Sequence, residues 1–223
     1  MASRTGAISR ATDYIDSGQF EADLARRVAI PTESQVPQGL PHLTRYLDEE
    51  MIPAFEAMGF ACRTFDNPVA GAGPVLLATR IEDPARPTVL GYGHGDVIRG
   101  LEDQWTKGAG PWKTARDGER LYGRGTADNK GQHWINISSL RTVFTERGNL
   151  GFNCKILLES DEEMGSRGLR AFCDQERQRL AADVLIASDG PRLDPERATV
   201  VLGSRGLVNF EMAVNLREGC LLY

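Results

Sequence analysis

His94 and Asp96 stand two residues apart in "GYGHGD", at the end of an apolar run. On extended chain, side chains two apart leave the same side. Asp96 is therefore placed to hold one ring N–H of His94 while the other ring nitrogen faces a metal. Glu162 and Glu163 are neighbours in "ESDEEMGS". On extended chain they point apart, one towards a metal and the other towards a water. Asp189 closes "IASDG", and Asp128 lies in "LYGRGTADNKG", between a strand-like approach and a helix-like departure. One imidazole and several carboxylates form the ligand set of a divalent, zinc-type site. Water on such an ion has its pKa lowered to about 7, and a nearby carboxylate can take its proton and return it to a leaving group.

These residues need elements that carry them to one rim. Helical spacing runs from about Asp16 to Val28, with Phe20, Leu24 and Val28 four apart, and Pro31 ends it. A second helical pattern covers about Pro41 to Met58, where Pro53 is expected to kink or restart the helix. Apolar runs of strand length follow at 74–81, 88–94, 152–160 and 182–189. The last three are apolar on both faces, as interior strands of a helix-covered sheet are. Helical segments are predicted at about 128–147 and 166–179. Strands alternating with helices define an α/β layered domain, whose ligand crevice lies outside the carboxyl ends of its strands. His94, the Glu162–Glu163 pair and Asp189 each close one such run, and Asp128 can reach the same rim. From Thr199 the pattern turns β-rich around "GSRG", as if a second, sheet-bearing unit begins.

Composition narrows the classes. The 223 residues suffice for one sizeable core. Hydrophobic residues at 41% and charged residues at 26% are ordinary for a globular chain. The net charge of −5 and the lack of a Lys/Arg-rich run argue against a nucleic-acid partner. No apolar run reaches membrane-span length, and the N-terminus has no signal-peptide core. The cysteines at 62, 154, 173 and 220 form no C-x-x-C pair, so reduced thiols in a cytoplasmic protein are expected. A dinucleotide loop is disfavoured, because "GYGHG" lacks the spacing of G-x-G-x-x-G; "GRGTADNKG" likewise is not a phosphate-binding P-loop. Singly, H-x-D is commonly a core or surface histidine, "SDEE" a solvated turn, and Asp189 before Gly190 and Pro191 a turn former. Their ordered occurrence at successive strand ends is what those readings leave unexplained.

In that order the motifs resemble the co-catalytic zinc amidohydrolases and metallopeptidases that include acetylornithine deacetylase, succinyl-diaminopimelate desuccinylase, carboxypeptidase G, aminoacylase and the carnosinase-type dipeptidases. The matching stretches are "GHGDV" (93–97), "QW" and "GPW" (104–105, 110–112), "LYGRGTADNKG" (121–131), "ESDEEMGSRGL" (159–169), "ASDGP" (187–191) and "GSRGL" (203–207). The resemblance implies a layered zinc-exopeptidase-like α/β domain, with a mostly parallel central sheet and helices on both faces. Residues 1–198 would form the N-terminal part of this catalytic domain, and 199–223 the first strands of an α+β dimerisation or lid domain. It implies two zinc ions per site, with cobalt or manganese as alternatives. His94 and Asp189 would hold one ion, Asp128 would bridge both, and Glu163 would bind the second. Glu162 would be the general base and acid, and Asp96 the orienter of His94. A cis peptide bond is implied after Asp128. The reaction implied is attack of a metal-bridging hydroxide on the amide or peptide carbonyl of an N-acyl amino acid or short peptide.

The sequence departs from the family pattern in two places. A late histidine that completes the second zinc site and a lid histidine, often supplied across a homodimer interface, have no counterpart here. Of the other histidines, His42 falls in the second helical pattern, and His133 follows Asp128 by five residues on the wrong side of its helix. The expectation is a truncated or frame-shifted form of a longer enzyme, the longer form being a homodimer. The alternative is a catalytically dead metal-binding or interaction fragment.

Overall fold

The apolar runs at 88–94, 152–160 and 182–189 become three neighbouring parallel strands. The computed structural model describes residues 2–190, 194, 196–203, 206, 208 and 210–214. It divides into two units, Met1–Asp189 and Gly190–Tyr223. In the first unit, β1 (Ala61–Phe65), β2 (Val75–Arg80), β3 (Thr88–His94), β6 (Asn153–Glu159) and β7 (Val184–Ala187) form one sheet in the order β1-β2-β6-β3-β7. β3 runs parallel to β6, with His94 opposite Glu159, and parallel to β7, with Val89 opposite Val184. β1–β2 and β2–β6 are antiparallel, so the sheet is mixed. A small hairpin, β4 (Ala115–Asp117) with β5 (Arg120–Tyr122), stands apart from it.

Helices cover both faces. On one face, α2 (Gln19–Val28), α3 (Leu40–Tyr46), α4 (Ile52–Glu56) and α5 (Lys130–Arg147) enclose the larger core, around Leu24, Tyr46, Phe55, Trp134, Ile137 and Leu158. On the other, α6 (Leu169–Gln175) and α7 (Arg177–Leu180) supply Phe172 and Leu180 against Val75, Leu77 and Leu157. Pro53 does not break its helix. α3 and α4 are joined by a π turn over Leu47–Met51, in which Ile52 N–H reaches back to Leu47 O. Lacking an N–H of its own, the proline is absorbed at the start of α4.

Three elements differ from the sequence expectation. The first helix starts earlier: α1 (Arg4–Asp16) precedes α2 and is capped by the Ser3 hydroxyl, which accepts from Gly6 N–H at 2.9 Å. β1 is an additional edge strand. The run at 182–189 is not interior, because β7 lies at the open edge of the sheet, with Val184, Leu185 and Ile186 49–65% exposed. In the second unit, the described residues carry neither strand nor helix. The β-rich runs expected from Thr199 fall partly on residues outside the described ones. Ser204 and Arg205 of "GSRG", and Cys220, lie outside the described residues. Among the described residues, no helix is long and apolar enough to cross a membrane.

Candidate metal centre

The carboxyl ends of β3, β6 and β7 present His94, the Glu162–Glu163 turn and Asp189 side by side. Asp128 joins them from the loop that enters α5. That loop folds tightly: Gly131 N–H donates to Gly125 O at 3.0 Å. A Cβ on Gly131 would lie 1.8 Å from the Thr126 carbonyl oxygen, so only glycine lets the chain double back here. The Asp128–Asn129 peptide bond is cis. The next side chain, Lys130, is buried and donates from Nζ to Arg27 O (2.9 Å) and Ile30 O (2.6 Å), tying the start of α5 to the end of α2.

His94 is the hub of the cluster and is buried. Its Nδ1–H donates to the main-chain carbonyl of Asp96 at 3.0 Å. Nε2 therefore faces outward, 3.0 Å from Asp128 Oδ1, 3.5 Å from Asp189 Oδ2 and 3.9 Å from Glu162 Oε2. One ligand atom from each of His94, Asp128 and Asp189 lies within 4.8 Å of the others. The Asp128 side chain is 65% exposed, so the cluster opens to solvent on that side.

Asp96 and the glutamate pair sit differently from the extended-chain picture. The Asp96 carboxylate is 3.4 Å from His94 Nδ1, farther than its own carbonyl. Its two oxygens instead accept the N–H groups of Glu162 (3.2 Å) and Glu163 (3.1 Å). Glu162 and Glu163 occupy a 3₁₀ turn, Glu162–Met164, and not a strand. Asp96 thus holds two elements at once: its main chain fixes the imidazole and its carboxylate seats the turn. The group formed by His94, Asp128 and Asp189 does not include Glu163.

The electrostatics are those of an anionic pocket around one imidazole. Burial alone would depress the His94 pKa, but hydrogen bonds and charge from Asp189 and Asp96 outweigh it and push it up to about 11. Asp189 is held below the usual carboxylate range, chiefly by His94. Burial raises Glu162. Burial, then the Asp128 charge, raises Glu163 to about 7. Among the described residues, the ion pairs of Asp128, Glu162 and Asp189 are all with His94. Excess carboxylate around one neutral-capable imidazole fits a divalent cation, which would replace protons now held by His94 and Glu163.

The other nucleophile candidates lie elsewhere. Cys62, Cys154 and Cys173 are free thiols, and burial pushes Cys62 up to about 11 and Cys154 up to about 12, which leaves them unreactive. His133 is buried in α5 with both ring nitrogens hydrogen-bonded, to the Tyr46 hydroxyl and to Asn129 Oδ1, away from the carboxylates. Sequence reasoning missed Asn129, whose side chain touches several parts of the site; an Asn beside an Asp carries no pattern that would mark it.

A mixed α/β sheet with an imidazole and carboxylates gathered at its parallel strand ends is the layout of a metallopeptidase domain. Residues 90–217 match the family model "Peptidase family M20/M25/M40", and the chain belongs to this family. It is 29% identical over 231 residues to the Beta-Ala-His dipeptidase of Rattus norvegicus, covering 96% of this chain and 46% of the relative. It is 28% identical over 217 residues to the Cys-Gly metallodipeptidase DUG1 of Candida albicans, covering 88% and 43%. The crystal structure of human carnosine dipeptidase 1 superposes with a TM-score of 0.72 at 30% identity, over 80% of this chain and 40% of that one. The chain spans less than half the length of these relatives.

Proposed function

We propose that this chain carries the metal-binding half of a zinc-dependent hydrolase of peptide or amide bonds, of the dipeptidase type. The observation that carries the reading is the convergence of Asp128, Glu162 and Asp189 on His94, with no other cationic partner for them among the described residues. Membership of a peptidase family and likeness to dipeptidases support it. In this reading His94, Asp128 and Asp189 hold the first ion, Asp128 and Glu163 contribute to a second, and zinc is preferred to cobalt or manganese. When bound, zinc supplies the Lewis acidity that polarises the scissile carbonyl and makes water acidic near neutral pH.

The protein's own groups do the rest. Glu162 is raised by burial and lies on the open side of His94, so it is suited to take a proton from the attacking water. The hydroxyl oxygen bonds to the carbonyl carbon, the C–N bond breaks, and the proton on Glu162 passes to the departing nitrogen. Asp96 orients His94 through its carbonyl and keeps Glu162 in place through its carboxylate. Residues 1–198 belong to the catalytic domain in this account, and 199–223 begin a dimerisation or lid domain through which a longer form pairs as a homodimer. The free thiols accord with a cytoplasmic setting.

A second reading, a metal-binding fragment without catalysis, is favoured by one observation: Glu163 stands outside the three-residue group. Assaying the 223-residue chain with zinc on Beta-Ala-His, Cys-Gly and N-acyl amino acids separates the two. Glu162→Gln should lower any turnover by about 10²–10⁴-fold while leaving bound zinc unchanged. Hydrolysis that survives the substitution contradicts the role given to Glu162, and zinc binding without turnover favours the second reading.

A further inference from the structure

Behind the cluster runs a buried hydrogen-bond chain that neither the ligand set nor the proton-transfer step uses. Asn129 is its centre. Its Oδ1 accepts from the His94 main-chain N–H at 3.3 Å, and its Nδ2 donates to the Ser188 carbonyl at 3.3 Å. A main-chain N–H only donates and a carbonyl only accepts, so these two contacts fix which way the amide points. Ser188 directly precedes Asp189, and Asn129 directly follows Asp128. One amide thus touches the chain at all three members of the cluster.

The amide is in turn held from behind. His133 Nδ1 lies 3.2 Å from Asn129 Oδ1, and because that oxygen is an acceptor, Nδ1 must carry the proton. The neutral ring then leaves Nε2 as an acceptor, and the Tyr46 hydroxyl donates to it at 2.6 Å. Burial holds His133 well below the usual imidazole range, in keeping with a neutral ring. Two glycines make room for this. A Cβ at Gly93 would stand 2.9 Å from His133 Cβ and 3.1 Å from Asn129 Oδ1, and one at Gly95 would stand 2.9 Å from Tyr46 Cδ1. The glycines on either side of His94 in "GYGHGD" therefore let the chain behind the imidazole close onto it.

We infer that Tyr46, His133 and Asn129 form a positioning relay, in which the amide oxygen sets the histidine tautomer, the tyrosine hydroxyl holds that ring from behind, and the amide so braced fixes His94 and the chain at Asp189 relative to Asp128. The inference rests on the metal-site reading above for its effect on zinc. Outer partners of metal ligands typically matter by about 10–100-fold in affinity. His133→Leu should weaken zinc binding in that range, measured by chelator competition on the 223-residue chain, and Tyr46→Phe should weaken it several-fold. Phe172→Leu, in the core on the other face of the sheet, should lower Tm without changing zinc affinity. In the metal-free chain, Tyr46→Phe should move the His94 amide resonance and the ¹⁵N resonances of both imidazoles. Zinc affinities within twofold of the unaltered chain, with His94 resonances unmoved, overturn the relay. If the unaltered chain binds no zinc, the metal reading fails while the His94 resonances still decide the relay. Tyr46→Phe removes one oxygen only and serves alone if His133→Leu does not fold.

Discussion

At the scale of single residues, burial and neighbouring charge keep protons on His94 and Glu163 of the candidate metal site. The Glu163 pKa is 4.5 in the unfolded chain and about 7 in the folded one, and His94 rises from 6.5 to about 11. Both folded values lie above the unfolded ones, so these two groups hold more protons in the folded metal-free chain. The Glu163 contribution is complete below 4.5 and is lost as pH rises through about 7. The His94 contribution is complete below 6.5 and is lost as pH rises through about 11. Asp189, shifted down, acts only at the acid end. Lys130, which burial lowers to about 7, and His133, which burial also lowers, act in the opposite sense. The Glu163 share is therefore read by difference: between pH 4.5 and 7 the urea midpoint of the unaltered metal-free chain should fall relative to that of Glu163→Gln. Zinc binding should strengthen with pH over the same range, because the ion displaces those protons. Identical pH slopes for the unaltered chain and Glu163→Gln between pH 4.5 and 7 would contradict this electrostatic picture.

At the scale of elements, the candidate site positions other than Asp128 were legible because each closes an apolar run. His94 ends β3, Glu162 and Glu163 follow β6, and Asp189 follows β7, and such runs are readable without a partner. Other elements carried weaker signals. α1 buries none of its residues, so no apolar spacing marks it. β1 is a short edge strand with Arg63 and Thr64 exposed. β7 is as apolar as an interior strand, yet it forms the sheet edge, and sequence alone does not say which strand has a second neighbour. Side-chain roles were harder still. Whether Asp96 meets His94 by carboxylate or carbonyl depends on the bend after β3, which spacing does not encode. Packing gives two tests. Leu158, fully buried in β6, should cost about 2–5 kcal/mol when changed to alanine, read as a lowered Tm and urea midpoint. Leu185→Lys on the exposed face of β7 should cost far less by the same measures.

At the scale of the whole molecule, the chain holds one assembled rim of a peptidase-family domain and matches relatives more than twice its length. Within this rim, β3 is paired on both sides and α5 is anchored through Lys130. By itself this rim should bind a divalent ion. The most direct measurement is zinc per chain, by elemental analysis after dialysis against metal-free buffer, for the unaltered chain and for His94→Ala and Asp189→Ala. The account predicts at least one zinc retained per unaltered chain and its loss in both variants. Zinc absent from the unaltered chain, or retained equally in all three, would contradict it.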